Sequence, residues 1–527
     1  MSFLKITVYY LVAFLTSTRA ERRLRRRASQ QEASVFRLTV SDELLRLPDG
    51  SLAYLEHVMA IPVTNGVETS DYYAIDLPDY IEDNYHDKIE EGALFISTTG
   101  ATVENSTLVL DDQAMVTVLA ESPIIALNIQ QKSTRSVAIL RVSLVEGATI
   151  TRQVKYSASE IEEHFFEKST SLKVQMGHCT NGAINIESAG VFEILVPSSL
   201  ESFVSPASLR NSALQIFSDL MGSPSPNSVA DHIVVILPEN NFHGFIGNAG
   251  TNHWMSTLNN EWALDVMVRH HEIAHNLGLG HAYLANNSWD FSSYMSATGF
   301  EPNLKGPLKC YNAASNVQMG WFADRTLEID FSQQPAHLIN LVAFSEAQIG
   351  ISSDPVILRI GEYAVQYNFA SGFNAGTEMF RDQITIARSE PGKTIVENEG
   401  LSPGSGMFVK ENFGDTSKTL RLQACEQIAG GSGTPNSMAL GISLGVEGSP
   451  CDIETITSQK TVCPDTSKNQ ILFRWGKGVI SVDCRYLDTF DGDKNALCQT
   501  LVYGEKQTKI HHVCRRECAA QADCVRE

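Results

Sequence analysis

The stretch His270-His271-Glu272-Ile273-Ala274-His275-Asn276-Leu277-Gly278-Leu279-Gly280-His281 holds imidazoles and a carboxylate at the spacing of a three-histidine zinc site. On an α-helix, residues four apart share a face and lie about 6 Å apart along the axis, so His271 and His275 can hold one ion between them. Glu272 then stands beside the ion without binding it, where a general base can take a proton from a water held by zinc. A straight helix would carry residue 281 roughly 9 Å past His275, so the helix must end first. Gly278 can take the left-handed conformation that stops a helix, Gly280 loosens the same turn, and His281 is then brought up as the third nitrogen. Three neutral imidazoles leave the fourth position open to water, which marks catalytic rather than structural zinc. The alternative, ordinary surface or core histidines, leaves the fixed offsets of Gly278 and His281 unexplained.

Elements on both sides must position this segment. Val191–Val196 reads as a strand, Ser205–Met221 as a helix, His232–Leu237 as a buried strand stopped by Pro238, and Gly244–Met255 as a strand and loop. Asn260 is the candidate cap of the active helix, with Glu261 and Asp265 in its first turns, where negative charge is favoured. His270 projects about 100° away from His271 and reads as a packing residue. Downstream, Ser292-Ser293-Tyr294-Met295-Ser296 places a methionine fourteen residues after His281.

Taken together, the zinc motif with Gly278 and His281 and the later Met295 resemble the metzincin metalloproteases, which carry a methionine turn beneath the zinc. The likeness sharpens to the gametolysin-like metzincins through Cys179-Thr180-Asn181-Gly182, Asp290–Met295, Cys310-Tyr311-Asn312, Gln318-Met319-Gly320-Trp321 and Tyr363-Ala364-Val365-Gln366-Tyr367-Asn368, and covers roughly residues 130–440. The resemblance implies an α+β catalytic domain at 166–328, a mixed sheet with an active-site helix. It also implies endopeptidase activity, Zn2+ at His271, His275 and His281, Glu272 as base and Met295 as the turn residue. One departure is Ala297, where some metzincins have a tyrosine that serves as a switching ligand. Cys179 has two readings: a thiolate that occupies the open zinc position and enforces latency, or a disulfide to Cys310. A free Cys179 would leave an odd number of cysteines in an oxidising compartment, which favours the bridge.

Residues 1–20 read as a secretory signal, with Lys5, an apolar run Ile6–Leu15 and Thr18-Arg19-Ala20 before the cut; ten apolar residues are too few to span a bilayer, which needs about 20. Glu21-Arg22-Arg23-Leu24-Arg25-Arg26-Arg27 is either a processing site or a solvated charge run. No later apolar run suggests a membrane span, so a soluble, exported mature protein is expected, in the extracellular space, cell wall or matrix. The net charge of −21 argues against nucleic acid as a partner. Composition is globular, 43% hydrophobic and 19% charged over 527 residues, which suggests three or four domains.

Alternating β-branched runs at Ser34–Val40, Ser106–Leu110, Ala114–Leu119 and Val137–Val145, followed by an amphipathic helix at Ser157–Lys168, give a β-rich segment, read as a propeptide spanning 21–165. A permanent accessory domain is the rival reading. Runs at Ala336–Val342, Val356–Ile360, Tyr363–Tyr367, Gln383–Ala387 and Thr419–Gln423 predict a small antiparallel sandwich at 329–447, with Gly430–Pro435 as a loop or linker. Residues 448–527 hold Cys451, Cys463, Cys484, Cys498, Cys514, Cys518 and Cys524 and form a disulfide module, an adhesion element or a stabilising appendage. Asp491–Asn495 reads as a turn rather than a calcium loop. Asn105 and Asn286 are acceptors for N-glycosylation in a eukaryotic secretory route. The expected activity is therefore secreted zinc-dependent hydrolysis of peptide bonds, with extracellular glycoproteins as the substrates the resemblance implies. A catalytically silent extracellular binding or adhesion protein that keeps the zinc site is the alternative, against which an intact Glu272 argues.

Overall fold

The structure, a computed structural model, describes most of residues 34–121, then 134–452 apart from 199–204, 224, 240–243, 298–305, 333, 350–353 and 432, and two strands within 470–483. The leader at 1–20, the basic cluster after it, Asn105, Asp491–Asn495 and the six cysteines from Cys463 onward lie outside the described residues.

The chain is mixed α+β and dominated by strands. It opens with β1 (Ser34–Arg46), β2 (Leu52–Thr64), β3 (Val67–Glu68), β4 (Tyr73–Ile75), β5 (Leu94–Glu104) and β6 (Thr107–Glu121). These enclose a core of Phe36, Leu38, Val40, Ala60, Leu94, Ile96 and Leu108. Next come β7 (Thr134–Glu146), β8 (Thr149–Gln153), α1 (Ala158–Glu162), a π-helical turn at Glu163–Glu167, α2 (Leu172–Cys179), β9 (Asn185–Pro197), α3 (Pro206–Met221), β10 (His232–Leu237), β11 (Phe245–Gly250), β12 (Met255–Asn259) and α4 (Val266–Leu277). β1 to β12 form one sheet among the described residues, in which β1-β11-β12-β10-β7 are successive neighbours. β10 runs parallel to β7 and β12, and β11 runs antiparallel to β12.

This sheet is covered on both faces, which explains why β10 is apolar without alternation from Ile233 to Leu237 and buried at every position. Val137, Ile139, Val234, Ile236 and Leu258 face the layer containing α2 and α4. Ala138, Leu140, Val142, Ile233, Val235 and Leu237 face α3 through Leu209, Ala213, Leu214 and Phe217. The expected helix at Ser205–Met221 is α3, capped by the Ser205 side chain and ended by Gly222 at φ 61°.

β7 falls inside the segment 21–165 that was read as a propeptide, yet it pairs with β10 on one side and with β9 along nearly its whole length. Alternation alone marks β7 as one more strand of that segment, because strand partners are not local in sequence. β7 therefore belongs to the same core as β9 and β10.

The remaining strands are β13 (His281–Leu284), β14 (Thr326–Glu328), β15 (Ala336–Val342), β16 (Ile357–Ile360), β17 (Tyr363–Asn368), β18 (Gln383–Glu390), β19 (Lys393–Val396), β20 (Phe408–Lys410), β21 (Leu420–Ile428), β22 (Ser437–Leu444) and the pair β23 (Gln470–Trp475) and β24 (Gly478–Asp483); helix α5 (Ala313–Gln318) lies between β13 and β14. A six-stranded sheet β13-β19-β18-β17-β16-β14 and a four-stranded sheet β15-β22-β21-β20 share a core that includes Leu341, Leu358, Tyr363, Val365, Ile384, Leu422, Met438 and Leu440. Two sheets were expected here, but the larger one is not purely antiparallel. Its outer strands β13 and β14 pair in parallel with β19 and β16, and both come from the stretch assigned to the catalytic unit. Cys451, expected as the first cysteine of the terminal module, is bridged to Cys425 on β21 with the Cα atoms 5.5 Å apart. Among the described residues no helix is long and apolar enough to cross a membrane.

β7 supplies Val137, Ala138, Ile139, Leu140, Val142 and Leu144 to the core. At about 1.5–3 kcal/mol per large apolar side chain, their loss rivals a typical net stability of about 5–15 kcal/mol. A chain beginning at Phe166 should therefore lack a cooperative thermal transition by circular dichroism, while the full chain shows one.

Candidate metal centre

α4 starts one turn later than expected. Its cap is Asp265, whose carboxylate accepts the Val268 N–H at 2.8 Å. Asn260 sits in a preceding 3₁₀ turn, and its side-chain oxygen accepts the Lys155 N–H at 2.8 Å. All twelve residues of α4 are buried, so each polar side chain must find a partner inside the protein. Arg269 donates to the Asp265 and His164 carbonyls and lies over the Phe165 ring, and burial lowers its pKa to about 10. The Asn276 amide donates to the Gly250 and Met255 carbonyls, which fixes the helix against β11 and β12. The helix ends at Gly278 (φ 106°), whose N–H reaches the Ala274 and His275 carbonyls. That is the left-handed stop the spacing required.

His281 follows at once as the first residue of β13. Gly280 does more than loosen the turn: a Cβ there would lie 1.6 Å from the Gly392 carbonyl oxygen, in the turn between β18 and β19. Only a glycine lets the two chains approach this closely. The third imidazole is thus positioned by the downstream sheet as well as by the helix stop.

His271, His275 and His281 each offer a nitrogen within 4.8 Å of the others. The His271 Nδ1 lies 2.8 Å from the Tyr294 carbonyl and the His275 Nδ1 lies 2.8 Å from the Leu279 carbonyl. A carbonyl can only accept, so both Nδ1 atoms carry the proton and both Nε2 atoms present lone pairs. These two Nε2 atoms stand 3.0 Å apart. Two lone pairs so placed do not bond to each other but suit a shared cation, and tetrahedral zinc bonds of roughly 2.0–2.1 Å would set them about 3.3 Å apart. Burial holds the His271 imidazole at about 4 and pushes His275 and His281 well below the ordinary histidine value, so all three are neutral at neutral pH, as ligands must be. The group can hold a metal ion.

Glu272 is 2% exposed and lies against β11, where a Cβ on Gly247 would come within 2.5 Å of its Oε1. The glycine at 247 gives this carboxylate its room. Nothing local in the sequence singles out Gly247, whose importance arises from a contact across 25 positions. Met295 is fully buried in a turn that joins the site by backbone: the Tyr294 carbonyl accepts from His271, and the Met295 carbonyl accepts the Ala282 N–H at 2.9 Å. Asp290 supports the turn, accepting from the Ser292 N–H and from the Asn312 amide. Its role was hidden until Asn312 and, beyond it, Thr394 came together.

Cys179 and Cys310 form a disulfide with Cα atoms 5.3 Å apart, so Cys179 is no free thiol, and the Cys310 carbonyl accepts the Tyr294 N–H at 2.8 Å. The bridge thereby ties α2 to the methionine turn. His270 points away from the three imidazoles; its Nδ1 lies 2.7 Å from the Val266 carbonyl and its ring stacks on Tyr294 at 4.7 Å. Ala297 is buried and offers no hydroxyl. Asn286 is exposed on the loop after β13 and accepts from the Ser288 N–H at 3.0 Å. Trp289 packs edge-on to His281 at 5.5 Å, stacked with Tyr283. The chain matches no family model, no curated protein and no solved structure.

His281→Ala removes one of three nitrogen donors. Metal analysis after purification in the presence of zinc should show occupancy at least about tenfold below wild type under dialysis. Equal occupancy would show that His281 is not a ligand.

Proposed function

We propose that this protein is an exported zinc endopeptidase of the gametolysin-like metzincin type, acting on peptide bonds of extracellular matrix or cell-wall glycoproteins. The observation that carries the reading is the set of three neutral, convergent imidazoles with a buried carboxylate one residue from the first of them and a methionine turn bonded to the same histidine. Neutral nitrogen donors favour zinc over calcium or magnesium, which prefer oxygen. Disulfides at Cys179–Cys310 and Cys425–Cys451 agree with an oxidising compartment.

A zinc ion held here would polarise a water and the scissile carbonyl. His271 and His275 are held in the right tautomer by the Tyr294 and Leu279 carbonyls, so both nitrogens stay available without rotation. Glu272 takes the proton of the attacking water as the new C–O bond forms, and passes it to the departing amine nitrogen as the C–N bond breaks. Gly247 leaves the carboxylate the space to do both. Ala297 cannot contribute a phenol, so stabilisation of the developing oxyanion would come from a zinc ion held by the three imidazoles or from backbone N–H donors.

Glu272→Gln keeps size and helix fit but cannot accept a proton. With residues upstream of Thr134 removed and zinc content matched, its cleavage of a mixed peptide library should fall at least about 10³-fold, since general acid–base help is worth roughly 10²–10⁴. Gly247→Ala should keep zinc but displace the carboxylate, lowering kcat by about tenfold or more with little change in KM. No cleavage by the wild-type protein in this assay would favour a binding or adhesion role.

A further inference from the structure

His281 belongs to a short hairpin as well as to the metal centre. The Leu284 N–H donates to the Ser288 carbonyl at 2.7 Å and the Asp290 N–H to the Ala282 carbonyl at 3.0 Å. Residues 282–284 and 288–290 therefore run antiparallel, with Tyr283 bridged to Trp289. Asn287, at φ 63°, makes the turn between them, and its N–H donates to the Leu284 carbonyl at 2.9 Å. Asparagine tolerates that left-handed conformation better than most residues.

Alternation sorts the side chains of the hairpin onto two faces. Ala282 is buried, and Leu284 packs against Ala314, Phe380, Ala387 and Val396. His281 and Tyr283 project to the other face, and Trp289, opposite Tyr283, joins them. Trp289 stacks on Tyr283 with centroids 4.5 Å apart and planes at 25°. Both rings stand at 81° to the His281 ring, Trp289 at 5.5 Å and Tyr283 at 6.3 Å. Burial falls off outward along this face: His281 is 3% exposed, Tyr283 and Trp289 are half-buried, and residues 285–288 at the tip are exposed. Two aromatic rings thus lead from the third imidazole towards the surface.

Two charges decide what such a face can receive. Ring faces carry the negative part of the aromatic quadrupole and disfavour a carboxylate. They attract an ammonium or guanidinium, but a dication held by the three imidazoles would repel a cation at this range. An uncharged ring escapes both penalties, gains stacked or edge contact with the pair and buries apolar area.

We propose that Tyr283 and Trp289 form a specificity subsite for an aromatic side chain of the peptide substrate. An extended chain advances about 3.3 Å per residue, so rings this close to His281 reach a side chain within about three residues of the bond that is cut. The word substrate rests on the endopeptidase reading, while recognition of an aromatic ring by the pair can be measured without turnover.

The test uses the full chain, exported so that its own processing takes place. Cleavage of a peptide library varied one position at a time is compared for wild type, Trp289→Leu and Trp289→Phe at equal zinc content. Wild type should favour Phe, Tyr or Trp over Ala at one position within about three residues of the cut, at least about tenfold in kcat/KM. Leucine keeps apolar bulk without a ring, so Trp289→Leu should lower that ratio about fivefold or more, while Trp289→Phe should hold it within about twofold. A packing role alone would slow cleavage of every peptide alike and leave the ratio unchanged, which overturns the proposal. A wild-type preference at that position for Lys, Arg, Asp or Glu overturns it too. Should Trp289→Leu lack the wild-type circular dichroism spectrum, Tyr283→Leu takes its place with the same expectations. If wild type cleaves nothing, the endopeptidase reading falls and binding decides the subsite. N-acetyl-phenylalaninamide, followed by saturation-transfer NMR, should then bind wild type and Trp289→Phe but not Trp289→Leu. Equal binding to the leucine variant, or none to wild type, overturns the proposal.

Discussion

Every residue of α4 is buried, and yet the helix carries three histidines, a glutamate, an arginine and an asparagine. A buried polar group without a partner costs about 1–3 kcal/mol, and a charge costs more, so this helix tolerates burial only because its surroundings are built to receive it. The acceptors are mostly backbone carbonyls from other elements: Tyr294 and Leu279 for the imidazoles, Gly250 and Met255 for Asn276, His164 for Arg269. The π-helical turn, the turn that holds Met295 and β11 each supply one of these acceptors. Carbonyls are also better than side chains for the purpose, since they cannot change rotamer and so hold each ring in one tautomer.

The same logic makes the downstream sheet part of the site. β13 begins with His281 and pairs with β19, and the contact of Gly280 with Gly392 leaves no tolerance for a side chain. Asn312 links Asp290 beneath the methionine turn to Thr394 on β19. A shift of the β18–β19 hairpin would therefore be felt at the third imidazole and at the turn that holds the first. Strands from both sides of residue 328 share the six-stranded sheet, so the division near that residue is a division of sequence, not of packing.

What the sequence made legible was local. The helix face, its left-handed stop, the Ser205 cap and the apolar run Ile233–Leu237 of β10 each depend on neighbours within a few positions, and the spacing of His271, His275, Gly278 and His281 reflects one turn of chain. The cap was misplaced at Asn260 because several residues ahead of the helix are equally good acceptors, and which one serves depends on where the 3₁₀ turn hands over. Gly247, the Tyr294 carbonyl and the Asn312–Asp290 contact left no mark in the sequence, because their roles come from strands and loops that meet only in three dimensions. The parallel pairing of β13 and β14 escaped notice for the same reason: period-two alternation reports a strand, never its partner.

β7 shows why a boundary between a removable segment and a lasting core is hard to draw from patterning. Like β1 and β6 it is β-branched and follows them without a break in composition, but it is covered on both faces by α3 and by the α2–α4 layer, whereas β1 gives one set of side chains to its own small core. The difference lies in what is packed on each face, and a strand reports only that it is apolar. Burial on both faces makes β7 indispensable to the sheet that holds β11, and so to the position of Glu272. β1 is itself buried on both sides, Phe36, Leu38 and Val40 alternating with Arg37, Thr39 and Ser41, so the two strands differ in the cores they enter rather than in whether they are covered. The architecture thus places strands that enter different cores in a single hydrogen-bonded sheet.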